Sequence, residues 1–119
     1  MSSPTRKRPA RASRGDRLDL IFRALGDQTR RAMLARLARQ SSATVTELAE
    51  PFGMSLPAAS RHIKVLERAR LLSRTVDGRV HHCTLDVEPL RTVDQWLMDY
   101  RQFWNANLEA LAKYVERSR

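Results

Sequence analysis

The chain has one cysteine, Cys83, so no disulfide can form within it, which fits a reducing compartment such as the cytoplasm. No apolar run approaches the roughly 18 residues that a membrane-spanning helix needs. The N-terminus is basic, but no apolar stretch follows it, which is not the pattern of a secretory signal. Catalytic patterns are missing too. There is no nucleophile–base–orienter set, no phosphate-binding loop and no paired-carboxylate motif, so no catalytic residue is assigned and no cofactor is expected. Acidic residues are scarce: 13 Asp and Glu face 22 Lys and Arg, a formal charge of +9 in 119 residues. Such a balance points to a polyanionic partner. The length allows one small domain with a modest core.

The positive charge is unevenly spread. Residues 1–17 carry six basic residues against Asp16, and residues 55–85 carry six against Glu67 and Asp77. Residues 86–119 are close to neutral, with five basic and six acidic residues. Residues 1–14, rich in Ser, Pro, Arg and Ala, have almost nothing to bury and read as a disordered basic arm, with residues 15–119 as the folded domain.

Leu18, Ile21, Phe22 and Leu25 form the apolar face of a first helix ended by Gly26. Asp27 caps a second helix with Met33, Leu34 and Leu37 inward and Arg30, Arg31, Arg36 and Arg39 largely outward. Ser41–Thr44 reads as a polar loop. Thr46-Glu47-Leu48-Ala49-Glu50 begins a short third helix that Pro51 must end or bend. After the Gly53 turn, residues 55–69 form a fourth helix, capped by Ser55 with Pro57 in its first turn. Ala59, Ile63 and Leu66 make its apolar stripe. Pro57, Ala58, Ser60, Arg61 and Lys64 make a face of short polar and cationic side chains suited to a DNA major groove. His62 is expected to pack or to bond a phosphate rather than read bases.

Short helix, glycine turn and second helix spell a helix-turn-helix. Arg74-Thr75-Val76, Asp77-Gly78 and Arg79 through Leu85 read as a hairpin turning at Asp77-Gly78, a wing flanked at its tip by Arg74 and Arg79. His81 and Cys83 share one side of its second strand, two ligands at most, so they are read as ordinary strand residues. From Glu88 to about Val115 a long helix carries a heptad-like seam of Leu90, Val93, Leu97, Tyr100, Trp104, Leu108, Leu111 and Val115. Trp96 and Phe103 add a second strip. One strip is expected inward and one across a dimer. The fold class is therefore mainly α with a small β-hairpin wing, in the order α-α-α-α-β-β-α.

Phe22-Arg23-Ala24-Leu25-Gly26-Asp27-Gln28-Thr29-Arg30, Val45-Thr46-Glu47-Leu48-Ala49, and the run from Met54 to Glu67 together resemble the ArsR/SmtB family of bacterial winged-helix repressors. The resemblance covers about residues 18–115. It implies a homodimer built from the first and last helices, with Leu18, Ile21, Phe22, Leu97, Tyr100, Trp104, Leu108 and Leu111 at the interface. It also implies binding to a pseudo-palindromic, inverted-repeat operator on double-stranded DNA. By position, Ser55, Pro57, Ala58, Ser60, Arg61 and Lys64 would face the DNA, and Arg74 and Arg79 would be wing contacts. The readings from other classes are a protein-interaction module and an RNA-binding module on the same fold.

The departures are informative. The paired cysteines of arsenic sensors correspond here to Ala49 and Pro51, and of the zinc-sensor ligands only Asp94 matches, the others falling on Trp96, Asn107 and Ala110. Zinc sites of this kind use about four ligands, so metal-independent binding is expected. Arg70 stands where relatives usually carry glycine. Either it occupies a left-handed turn at a cost of about 1 kcal/mol, or the turn has another geometry. No inducer is legible.

Overall fold

A computed structural model describes residues 13–118. The elements are α1 (Arg14–Leu25), α2 (Gln28–Arg39), β1 (Ala43–Thr44), α3 (Val45–Ala49), α4 (Leu56–Arg68), β2 (Leu72–Asp77), β3 (Val80–Leu85) and α5 (Glu88–Arg117). Most of the expected arm lies outside the described residues. Its last two positions belong instead to α1: Ser13 caps the helix through a reciprocal pair with Asp16, and Arg14 is its first residue.

All five expected helices are present, and the wing follows α4. The sheet, however, has three strands in the order β1-β3-β2. Ala43 pairs with Cys83 and Thr44 with His82, so the polar loop expected over 41–44 ends in a strand. Two residues are too few to display an alternating pattern. What holds them is the burial of Ala43 against the sheet and the helix start at Thr44, whose hydroxyl accepts from Glu47 N–H. The hairpin connection is Gly78-Arg79, one residue later than expected, because Asp77 pairs with Val80. Gly78 has φ 63° and Arg79 is not among the positive-φ residues, which is the type II′ arrangement that suits strand twist. Arg79 thus occupies the tip itself.

The core lies where α1, α2, α3, α4 and the sheet meet, around Met33, Leu48, Ile63, Leu66, Leu71 and Cys83, all essentially inaccessible. Ile21 is only 2% exposed within its own chain, so it is a core residue and not, as the resemblance implied, an interface residue. Its position one helical turn from Leu18 and Leu25 let it pass for part of the outer stripe.

The end of α4 resolves the Arg70 alternative. Arg70 sits at φ 60°, donating its N–H to the Glu67 carbonyl at 2.9 Å, while Leu71 N–H reaches the Leu66 carbonyl at 3.0 Å. This is a Schellman closure, completed by the buried Leu66 and Leu71 side chains. An arginine therefore holds a backbone conformation that glycine adopts freely.

Arg30 corrects another expectation. Its side chain is only 15% exposed and turns inward, not outward. Nε donates to the Ala24 carbonyl and Nη2 to the Arg23 carbonyl, both at 2.8 Å, and Nη1 lies 3.2 Å from His62 Nδ1. Arg31 Nη1 reaches the Leu25 carbonyl at 2.6 Å. The last carbonyls of α1, which no helical N–H can satisfy, are thus met by two arginines of α2. Asp27 caps α2 by accepting from Thr29 N–H at 2.8 Å and Arg30 N–H at 3.2 Å. Gly26 between the helices has an ordinary φ of −75°, and a Cβ there would come within 3.2 Å of the Phe22 carbonyl.

Only the start of α5 packs on this body. Leu90 and Val93 border the core, and Trp96 meets Phe22 edge-on at 5.3 Å between ring centroids. Tyr100 meets Trp96 in a tilted arrangement, 4.6 Å between ring centroids. The Asp99 carboxylate still lies 3.8 Å from Arg14 Nη2 of α1; beyond it the helix stands clear, and Phe103, Trp104, Leu108, Leu111 and Tyr114 are exposed. The division expected between two parallel strips is therefore a division along the helix length. The radius of gyration, 20.3 Å, far exceeds the roughly 13 Å of a compact domain of about 100 residues, because α5 projects.

Two outcomes follow for stability. Arg70→Gly is expected to raise unfolding free energy by about 1 kcal/mol by releasing left-handed strain, as read by denaturant titration. The Arg30 N–H that donates to Asp27, helped by the Thr29 N–H, holds its carboxyl below the usual Asp range, against the opposing effect of burial. A lowered folded pKa gives stability that is present at neutral pH and lost as pH falls through the acidic range below about 4. Thermal unfolding from pH 7 to 3 should show a shallower decline for Asp27→Asn than for the wild type.

Candidate nucleic-acid interface

The second helix of the helix-turn-helix is set by three buried side chains. Ala59, Ile63 and Leu66 are fully buried, which fixes the rotation of α4 about its axis. Ser55 Oγ accepts from Ala58 N–H at 3.3 Å and caps its start, with Pro57 in the first turn where a missing N–H costs nothing. The preceding turn is made by a 3-10 segment, Glu50–Phe52, and by Gly53 at φ 60°. Pro51 lies inside that segment, so α3 stops at Ala49.

The opposite face of α4 is open. Ser55, Pro57, Arg61 and Lys64 are exposed, and Ala58 and Ser60 are half-buried. Arg61 and Lys64 make no ion pair or side-chain hydrogen bond among the described residues. Their positive charge and the N–H groups at the start of α4 form a surface that attracts anions.

α4 is anchored at two further points. His62, whose role was open between packing and a phosphate contact, is half-buried, with its Nδ1 against Arg30. Near the other end, Glu67 Oε1 accepts from Arg74 Nη2 at 2.5 Å, and Arg74 Nη1 lies 3.3 Å from His81 Nδ1. Arg74, expected as a wing contact beside the tip, is thus half-buried midway along β2, opposite Cys83, and its guanidinium is shared between α4 and β3. Its Nε is buried with no partner among the described residues. The sequence could not distinguish this strut from a free cation, because the partner Glu67 is seven residues away on a different element.

Arg79 at the wing tip is exposed. A groove of about 480 Å³ runs between the wing and the helix-turn-helix, lined by Ser60, Arg79, Val80 and His81 together with Leu56 and Thr46. The structure thus brings Ser60, Arg74 and Arg79 to one groove, while Pro57, Arg61 and Lys64 lie outside it. Leu56 and Thr46 were not singled out in the sequence. The signal for Leu56 was available: an apolar residue at the first position of a capped helix has nothing beneath it to pack on.

α3 is fixed to α2 by Arg36, another arginine expected to point outward. Its Nη1 donates to the Glu47 carbonyl, and its Nη2 lies 3.9 Å from the Glu47 carboxylate. Hydrogen bonding from Thr44, with the Arg36 charge nearby, keeps the Glu47 carboxyl below its usual range. Cys83 is fully buried, and burial pushes its thiol pKa up, the opposite of a reactive thiolate. Among the described residues, no three His, Cys, Asp or Glu side chains cluster in a way that could hold a metal. No described helix is long and apolar enough to cross a membrane.

A capped helix with an open cationic face, preceded by a glycine turn and followed by a basic-tipped hairpin, defines a winged helix-turn-helix DNA-binding protein. Residues 25–75 match a helix-turn-helix domain family. The chain is 37% identical over 98 residues to the HTH-type transcriptional regulator Rv2034 of Mycobacterium tuberculosis, spanning 82% of this chain and 88% of that protein. It is 29% identical over 80 residues to the transcriptional repressor SdpR of Bacillus subtilis, spanning 67% and 88%. A crystal structure of an ArsR family transcriptional regulator aligns with a TM-score of 0.74 at 42% identity, covering 79% of this chain and 96% of that one. The chain belongs to the ArsR family of winged-helix transcriptional regulators, and it is a regulator of transcription rather than an enzyme.

Arg74→Ala is expected to lower stability by about 1–3 kcal/mol, because it leaves Glu67 partly buried without its counter-charge. Arg79→Ala, at the exposed tip, should leave stability unchanged. Paired denaturant titrations of the two variants check both.

Proposed function

We propose that the chain is a homodimeric repressor that binds a pseudo-palindromic operator and occludes its promoter without needing a metal. The observation that carries this reading is the fixed outward face of α4. Its buried stripe directs Pro57, Arg61 and Lys64 away from the core, with Ser55, Ala58 and Ser60 beside them. In a dimer, two such helices would enter successive major grooves about 34 Å apart. Arg61, Lys64 and Arg79 would supply phosphate and base contacts, with Ser60 at the groove edge. Arg74 would act one step removed, by holding the wing against Glu67.

The free half of α5 supports the dimer. Trp104 is 62% exposed, and Leu97, Tyr100, Leu108 and Leu111 flank it along the helix. An apolar surface of that extent marks a subunit interface. Half-buried Leu18 and partly exposed Phe22 on α1 border it. Metal independence is supported by the side chains where sensors carry ligands: apart from Asp94, they are Ala49, Pro51, Trp96, Asn107 and Ala110, which offer no thiolate, imidazole or carboxylate.

Selection from random duplex DNA should return an inverted repeat. A protein-interaction or RNA-binding module would return no coherent site, which would overturn the proposal. Arg61→Ala should abolish specific operator binding in a gel-shift titration while sedimentation still shows a dimer. Leu108→Glu should shift the protein toward monomer and weaken operator binding. Zinc followed by a chelator should leave the affinity unchanged.

A further inference from the structure

A cavity lies away from the helix-turn-helix face, between α1, the end of α4 and the start of α5. It has a volume of about 800 Å³, within the range of small-molecule sites. Three arginines line it: Arg17 of α1, Arg68 at the last turn of α4, and Arg70 in the Schellman turn that follows. Leu20, Ile21 and Pro89 give it an apolar wall. Two carboxylates stand at the same cavity, but both are engaged. Asp86 Oδ1 accepts the Glu88 N–H at 3.0 Å, and Glu88 pairs with Arg91 at 3.6 Å. The three arginine side chains make no ion pair or hydrogen bond among the described residues. Cations therefore outnumber the acids and, unlike them, lack partners.

The conformation of Arg70 is a second, independent observation. Glycine would close this turn without strain, yet an arginine occupies it at φ 60° beside the cavity. Backbone strain held in place at a cavity wall is a mark of a working position.

The geometry points to a binding site for a small organic polyanion. Arg17, Arg68 and Arg70 would take its charged end, and Leu20 and Pro89 would cover its apolar body. Guanidinium forks suit carboxylate and phosphate alike. A bound polyanion would tie the C-terminal end of the recognition helix to α1 and α5, the two helices proposed for the dimer. Binding there would change DNA affinity to the extent that the ligand prefers one setting of α4 over the other. That consequence rests on the repressor reading; the binding itself does not.

Isothermal titration of the full chain with citrate and with pyrophosphate, against sodium chloride at matched ionic strength, tests the site without DNA present. Saturable binding of one probe per chain is expected, and which probe binds distinguishes a carboxylate from a phosphate ligand. Arg17→Gln and Arg70→Gly should each weaken that binding at least tenfold while keeping wild-type circular dichroism. A response no different from sodium chloride, or unchanged affinity in either variant, would overturn the inference. Because no DNA is in the cell, loss of operator binding in a separate gel shift would count against the repressor reading alone.

Discussion

The guanidinium of Arg30 is the junction on which the rest of the molecule depends. It meets two carbonyls at the end of α1, the His62 ring on α4, and lies 4.0 Å from the Asp27 carboxylate. A mostly buried cation is tolerated only when its N–H groups are matched, and here helix-end carbonyls that would otherwise lack donors supply the match. One side chain thereby fixes where α1 ends, where α2 begins and how α4 lies across both. Asp27 completes the joint by capping α2 and holding Arg30 through its own backbone N–H.

From that joint outward, the open cationic face of α4 is a consequence of inward contacts. Ala59, Ile63 and Leu66 set the rotation of α4, His62 pins its middle, and the Glu67–Arg74 pair ties its last turns to the wing. The wing is therefore joined to α4 by a side-chain contact as well as by the chain. Its position relative to the recognition helix is set by a half-buried ion pair, whose rigidity comes at some cost in desolvation. Two cations so alike in sequence, Arg74 and Arg79, consequently do different work: one braces and the other projects.

Most of the architecture was legible in the chain. Helix caps at Asp27 and Ser55, the stripe at Ala59, Ile63 and Leu66, and the glycines at 53 and 78 are local signals that survive in the fold. The outward face of α4 follows from the stripe alone. What stayed hidden was the destination of arginines. An arginine on a helix reads as solvated unless its partners are known, and the partners of Arg30, Arg36 and Arg74 are backbone carbonyls or acids on other elements. Ile21 was misread for a related reason: a helix with apolar residues around more than one face does not say which of them meets its own core. β1 escaped because a two-residue strand has no period.

The long α5 has no buried residue in any of its 30 positions. Its outer half depends on helix propensity and on whatever covers its apolar side, and in proteins the packing of such a face supplies most of a helix's stability. On the dimeric reading, ordering this helix and pairing two chains are one event. The amount of active species then varies as the square of the free chain concentration while dimers are scarce. Gene dosage and proteolysis would therefore be felt more steeply than in proportion, and the projecting helix would serve as a concentration threshold in its own right.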